Sequence, residues 1–237
     1  MRVFVAGGTG VLGRRLVPQL MARSHQVTAT TTSAAKLGLV EQLGAEAVVM
    51  DGLDAVSVGE AVAQARPGMI VHQMTAISGK PDIKHFDRWF ATTNQLRTEG
   101  TDHLLAAAQA TGVTGFVAQS YAAWNGIREG GWVKTEEDPL DAASATVLAV
   151  ELKARGVFNI VDDVPAPANQ WLPYLAACAG AKPPMRVPTW LARPLAGRTA
   201  VTMMTEGRGF SNAKAKRELG RQPRYPSWRQ GFKDELA

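Results

Sequence analysis

The sequence predicts an α/β protein built on a doubly wound parallel sheet, with a small C-terminal lobe after it. Three observations predict it. Short, unbroken apolar runs recur through residues 2–118, as strands buried on both faces require. Longer segments of helical period separate them, which implies parallel crossovers. A glycine-rich turn, Gly7-Gly8-Thr9-Gly10-Val11-Leu12-Gly13, joins the first run to the first helix.

The elements follow in order. Residues 2–6 form the first strand, and residues 11–21 carry Leu12, Leu16, Leu20 and Met21 on one helical face. Residues 27–32 are β-branched, 34–43 helical and 47–50 apolar again. A helix over 54–65 leads to a strand over 69–74, and one long helix over 86–110 to a fifth strand over 115–119. Residues 125–139 read as a loop, 142–154 as a helix and 158–161 as a late strand. Beyond Pro165 and Pro167, helices are expected near 170–179 and over 212–219, with Ser211 or Asn212 as N-cap and Gly220 as terminator. The expected division is a domain built on the parallel sheet over 1–163 and a small C-terminal lobe over 164–237.

Composition narrows the function classes. The 237 residues carry 46% hydrophobic and 20% charged side chains, which excludes collagenous and wholly disordered chains. The single cysteine, Cys178, cannot form an internal bridge, and no apolar run approaches a membrane span. Strand-like sequence begins at Arg2, leaving no room for a signal peptide, so the expected location is cytoplasmic. Residues 191–237 hold ten Lys/Arg against four Asp/Glu within a net charge of +5. Such a tail either attracts phosphate, nucleic acid or an anionic partner or, since its bases alternate with Leu, Phe, Trp and Pro, is a solvated helical face. No nucleic-acid module and no membrane partner is expected, and oligomeric state is left open.

The turn from Gly7 to Gly13 carries the chemistry. Glycine permits the tight turn and lets a pyrophosphate approach the backbone, where free N–H groups at the helix start hold it. Gly7, Thr9, Gly10, Val11, Leu12 and Gly13 are therefore the candidate diphosphate cradle. A carboxylate about 20 residues on would bind an NAD ribose, but Thr30-Thr31-Thr32-Ser33-Ala34 has none. Thr32, Arg14 and Lys36 can instead receive a 2′-phosphate, so NADP is favoured, with NAD open. Asp51, before Gly52, is either an acceptor for the adenine amino group or the start of a turn.

These residues resemble the short-chain dehydrogenase/reductase superfamily, specifically its extended or atypical epimerase/dehydratase branch. The resemblance rests on Gly7, Gly10 and Gly13, on Asp51, on Gln73-Met74-Thr75-Ala76 and on Phe116-Val117-Ala118-Gln119-Ser120. It extends to Phe158-Asn159-Ile160-Val161-Asp162-Asp163 and to residues 211–220. It implies a Rossmann-type fold, a nicotinamide near Met74, Thr75, Ala76 and Ser120, and a small carbonyl or alcohol substrate. It also implies a Tyr-x-x-x-Lys pair, and the sequence departs from that. Four residues after Tyr121, Tyr174 and Tyr225 stand Asn125, Cys178 and Arg229. Little more than a turn separates Pro139 from the next helix, where the family places a helix, a strand and a loop.

Ser120 and Tyr121 are the candidate catalytic residues. Tyr121 stands where the family carries a second hydroxyl, with Lys134 and Arg128 as nearby cations. It either donates a proton or only packs over the cofactor. His72 reads as a core histidine or a base. His25, His85 and His103 do not fall at metal-ligand spacing, and no metal is expected. Glu136, Glu137 and Asp138 read as a solvated cluster. Trp124, Trp132, Trp171 and Trp190 read as lobe core or cleft wall. Three functions compete: an NAD(P)-dependent oxidoreductase, a redox-silent NADP(H) sensor or scaffold, and an isomerase or lyase using the nucleotide transiently.

Overall fold

The computed structural model describes residues 1–77, 82, 85–120, 139–196, 201–202, 205 and 209–236. Five strands form one parallel sheet: β1 (Arg2–Ala6), β2 (Gln26–Thr31), β3 (Glu46–Val49), β4 (Met69–His72) and β5 (Gly115–Ala118). Their order is β3-β2-β1-β4-β5. The expected doubly wound parallel sheet is therefore present. Ala6, the last residue of β1, pairs with His72, the last of β4, so both chains leave the sheet at one level.

Strand side chains alternate between faces, and β1 shows what this does. Val3 and Val5 enter one core with Leu16, Val17 and Leu20 of α1 (Gly13–Ala22) and Val40 of α2 (Leu37–Gln42). Ala143, Val147 and Val150 of α6 (Pro139–Glu151) complete that layer. Phe4 and Ala6 enter the opposite core with Val58 and Val62 of α3 (Ala55–Ala65) and Leu104 of α5 (Glu99–Thr111). Ser144 Oγ donates to Gln19 Oε1 at 3.1 Å, and Glu151 meets Arg23 at 3.3 Å, fixing α6 beside α1.

The side on which α6 lies is informative. Parallel crossovers are right-handed, so a helix leading from β5 to a neighbouring sixth strand would lie with α3 and α5. α6 lies on the α1 face instead, so it is not that crossover helix.

Two expectations need correction. Residues 86–110 are not one helix but α4 (Phe86–Arg97) and α5, broken at Thr98. The Thr98 hydroxyl donates to Asn94 O at 3.0 Å and the Thr101 hydroxyl to Arg97 O at 2.7 Å. Threonine back-bonding of this kind bends helices. Residues 158–161 are not a strand, and side chains rather than a sheet neighbour satisfy the carbonyl of Val161. Asn212 Nδ2 donates to Val161 O at 3.0 Å and Asp162 O at 3.2 Å, and Arg221 donates to Val161 O at 3.0 Å.

The chain divides into two compact units. The first comprises Met1–Pro81, Asp87–Ser120 and Ala142–Arg155; the second comprises Asp82–Phe86, Tyr121–Asp141 and Gly156–Ala237. Among its described residues the second is helical, with α7 (Ala168–Cys178), α8 (Thr189–Ala196), α9 (Ala213–Leu219) and α10 (Trp228–Leu236). Gly220 ends α9 with φ of 63°. Ser211 Oγ accepts from Ala213 N–H at the other end, while Asn212 turns its side chain back to 161–163. Trp228 stacks edge-on with Tyr174 at 5.4 Å between centroids and meets Phe232 at 5.9 Å. Trp171 joins that cluster through Phe232. Trp190 is 72% exposed and so is not lobe core; Trp124 and Trp132 lie outside the described residues. Among the described residues, no helix is long and apolar enough to cross a membrane.

Candidate functional site

The loop after β1 is held open by its neighbours. Gly7 has φ of 100°, a conformation that side chains disfavour. Its N–H donates to Thr30 Oγ1 at 3.0 Å, and Gly8 N–H donates to Thr30 O at 2.9 Å. One residue of β2 thus anchors the loop twice. Gly10 N–H closes the turn on Gly7 O at 3.3 Å. A Cβ on Gly13 would overlap the carbonyls of Gly7 and Gly8, so α1 begins pressed against the loop.

This packing decides which amides are spent. Among the described residues, the N–H groups of Thr9, Val11, Leu12 and Gly13 meet no protein acceptor. They cluster at the start of a ten-residue helix with no carboxylate in its first turn. Uncompensated N–H groups and the positive end of the helix dipole make that point a receptor for an anion.

The other candidate residues lie at the same carboxyl edge. After β2, the three threonines divide their labour: Thr30 holds Gly7, Thr31 Oγ1 accepts from Ser33 N–H at 3.3 Å, and Thr32 is exposed. Arg14 and Lys36 are exposed as well. After β3, Asp51 Oδ1 accepts from Leu53 N–H at 2.9 Å, and its own N–H donates to Ser57 Oγ. Asp51 is exposed and begins a turn, and Gly52 beside it is buried.

After β4 the segment 73–76 is pinned from beneath. His72 Nδ1 accepts from Met74 N–H at 3.2 Å, which leaves Nε2 to carry the proton it donates to Leu96 O at 3.2 Å. Burial pushes the His72 imidazole below its ordinary range; the Leu96 carbonyl opposes that, and the Arg97 charge adds to it. Both ring nitrogens are committed, so His72 is a satisfied core histidine. Ala76 N–H donates to Thr93 Oγ1 at 3.1 Å. Met74 is buried and Thr75 exposed. After β5, Ser120 is exposed and Arg97 donates to Gln119 O at 3.4 Å. Tyr121, Arg128, Lys134 and the 136–138 cluster lie outside the described residues.

The structure therefore assembles the loop 7–13 with Thr32, Asp51, Gly52, Met74, Thr75, Ala76 and Ser120 along one sheet edge. β1 and β4 are adjacent, but their following helices lie on opposite faces. Nucleotides bind at such a switch point in open α/β sheets. Thr30, His72 and Thr93 are the residues that sequence reasoning missed as supports. A hydroxyl at a strand end and a histidine two residues before a buried methionine carry no motif, and only the fold reveals their partners.

Comparisons with known proteins agree with this geometry. A family model described as NAD(P)H-binding matches residues 7–146. A 3-diazoavenalumate denitrifying reductase of a Streptomyces species is 33% identical, covering 98% of this chain and 99% of the reductase. That alignment runs over 308 residues against 237 here, so the reductase carries residues with no counterpart in this chain. Among solved structures, UDP-glucose 4-epimerase of Thermotoga maritima, crystallised with UDP-glucose, is similar at a TM-score of 0.71. It is 16% identical, with 98% of this chain and 96% of that one covered. UDP-glucose 4-epimerase of Bifidobacterium longum, in complex with NAD+ and UDP, has a TM-score of 0.68 and 12% identity, covering 100% of this chain and 97% of that one. At those identities the epimerases speak for the fold alone. With an anion-receptive loop at the switch point of a parallel sheet, and a match over residues 7–146, this chain belongs to the NAD(P)H-binding family.

Proposed function

We propose that this protein is an NADP(H)-dependent oxidoreductase of the epimerase/dehydratase type, acting on a small carbonyl or alcohol. One observation carries the reading: four unspent amides, from Thr9 and Val11 to Gly13, converge where a diphosphate charge would be neutralised. Thr32, Arg14 and Lys36 would take the 2′-phosphate, and Asp51 the adenine amino group. When bound, the cofactor supplies or receives a hydride. Ser120 would lie beside the nicotinamide, and Tyr121 would exchange a proton with the substrate oxygen as its charge changes. We assign substrate selection to residues 164–237.

A second reading is a redox-silent NADP(H) sensor or scaffold. What favours it is specific: no tyrosine is followed by Lys at the fourth position, and the reductase carries residues without counterparts here. α6 is also not the crossover helix that would follow β5. Two measurements separate the readings. Calorimetry with NADP+ and NAD+ should show binding, stronger for NADP+, and Gly13→Ala should weaken it at least 100-fold by displacing the loop. NADPH consumption is then followed with aldehydes, ketones and 3-diazoavenalumate, with Tyr121→Phe as comparison. Turnover lost in Tyr121→Phe supports the enzyme, whereas tight binding with no turnover of any acceptor leaves the sensor.

A further inference from the structure

Resting on that cofactor reading and deepening it, we propose that His72 and Thr93 are positioning residues. They clamp the 73–76 backbone onto α4 so that it can receive the nicotinamide half of the dinucleotide, and only the neutral imidazole keeps the clamp closed.

The clamp is built from three of the four amides of this segment. Gln73 N–H donates to Ala6 O at 2.9 Å, Met74 N–H to His72 Nδ1 at 3.2 Å and Ala76 N–H to Thr93 Oγ1 at 3.1 Å. The N–H of Thr75, between them, meets no acceptor among the described residues, and Thr75 is exposed. Three amides are thus spent inward and one is presented outward, at the sheet edge that holds the diphosphate loop. Both supports are buried, His72 at 3% exposed and Thr93 at 0%. Neither can turn to water if its partner is lost, so an unmade bond there carries its full penalty. The loop and the clamp also touch directly in shape: a Cβ on Gly7 would lie 3.0 Å from the Gln73 carbonyl. A shift of residue 73 is therefore felt at the diphosphate cradle.

The imidazole makes the clamp titratable. In the neutral ring Nδ1 accepts from Met74 and Nε2–H donates to Leu96 O. Protonation turns Nδ1 into a donor facing the Met74 N–H, two donors in opposition, while the Leu96 bond survives. The flanking strands offer Ala6 of β1 and Ala118 of β5 opposite His72, neither of which titrates. On α4 the charged neighbour is Arg97, which with burial keeps the ring neutral at pH 7 and moves protonation into acid. On α5, His103 turns its Nδ1 to the Gly52 carbonyl. Lowering the pH should therefore release Met74 and loosen the nicotinamide half before the adenosine half.

Variants separate the clamp from mere folding. The amide of His72→Asn places an uncharged acceptor where Nδ1 stands; that of His72→Gln reaches the Leu96 carbonyl but not Met74. Calorimetry with NADP+ and with adenosine 2′,5′-bisphosphate, which lacks the nicotinamide half, is run at pH 8 and pH 5. In the natural protein, NADP+ should weaken about tenfold more than the bisphosphate on acidification. His72→Asn should remove that difference, and His72→Gln should bind NADP+ about tenfold more weakly already at pH 8. Thr93→Ser should bind like the natural protein and Thr93→Val more weakly. Hydrogen exchange of the ligand-free protein adds an independent readout: protection of the Met74 amide should fall in acid for the natural protein and hold in His72→Asn. Equal acid weakening for both nucleotides, or an unchanged acid response in His72→Asn, overturns the clamp. Failure of NADP+ and NAD+ to bind at pH 8 overturns the cofactor reading itself, whatever Met74 exchange shows.

Discussion

The first unit hides Phe4, Leu16, Leu20 and Ile70 completely, on the two faces of one sheet, whereas the second, among its described residues, buries the polar Asn212 and Arg221 beside its apolar side chains. In the first, Val3, Val5 and Val71 meet helices whose apolar stripes face them. In the second, a polar knot ties the 157–163 segment to α9: Asn212, Arg221, Lys214 and Lys216 reach Val161 O, Val157 O and the Asp163 carboxylate. An aromatic cluster of Tyr174, Trp228, Phe232 and Trp171 adds apolar contacts to it. The lesson concerns direction. Apolar burial is non-directional and tolerates many partners, while hydrogen bonds demand one donor at one place.

Four measurements sharpen or break that contrast. The largest effect is expected from Phe4→Ala, which empties a fully buried site between β1 and α3 and should cost about 3–5 kcal/mol. Hydrogen exchange should quicken in β1 and β4 peptides and hold in α7 and α10; equal quickening in both would merge the units into one cooperative body. Next comes Asn212→Leu, which strips the Val161 and Asp162 carbonyls of one donor and should cost about 1–3 kcal/mol. Urea melts reporting no change would mean that the aromatic cluster alone holds the second unit.

A smaller, signed effect follows from pH. Unfolded His72 takes a proton below its ordinary pKa of about 6.5, while folded His72, lowered by burial, resists it. The unfolded state then binds more protons, so the first unit loses stability as pH falls below about 6.5. In the second unit, the hydrogen bond from Lys216 holds the Asp163 carboxyl below its ordinary value, with Asn212 adding to it. Its contribution is present above the unfolded pKa of about 3.9 and is lost only as pH falls through the lowered value. Asp162, raised by burial, has the opposite sign and favours the folded state as it protonates. Lowering the pH from 7.5 to 5.5 should therefore reduce the protection of β4 and α4 amides relative to their intrinsic exchange rate at each pH, and spare α9. Equal loss in both units would remove the assignment to His72. Smallest of all, Lys216→Met breaks a 2.7 Å pair with Asp163 that is about one-third exposed on each side. It should cost no more than about 1 kcal/mol, read as a small shift in the urea midpoint.

The contrast between the units also explains what could be read in advance. Val3 to Ala6, Ile70 and Val71 are apolar because both faces are covered, so the strands of the sheet stand out in the amino-acid order. Phe158 to Val161 has a similar apolar appearance and is no strand; its last carbonyl, Val161 O, goes to Asn212 and Arg221, 51 and 60 residues later. The helix over 86–110 looked continuous because Thr98 and Thr101 do not interrupt its apolar period; their hydroxyl back-bonds do. At the site, the glycines from Gly7 to Gly13 announce an anion cradle by their spacing. Thr30 and Thr93 announce nothing, and His72 reads in the sequence only as a core histidine or a base, since the contacts that give each its role depend on the folded backbone.

Residue order alone determined the parallel sheet, the layers of its helices and the glycine loop, because these depend on local period and on the absence of side chains. Tertiary structure alone decided which amides of that loop remain unspent, which threonine anchors it, which tautomer His72 adopts and on which face α6 rests. The physical reason is that a hydrogen bond between distant elements depends on where two backbones meet, and that meeting is a property of the packed core.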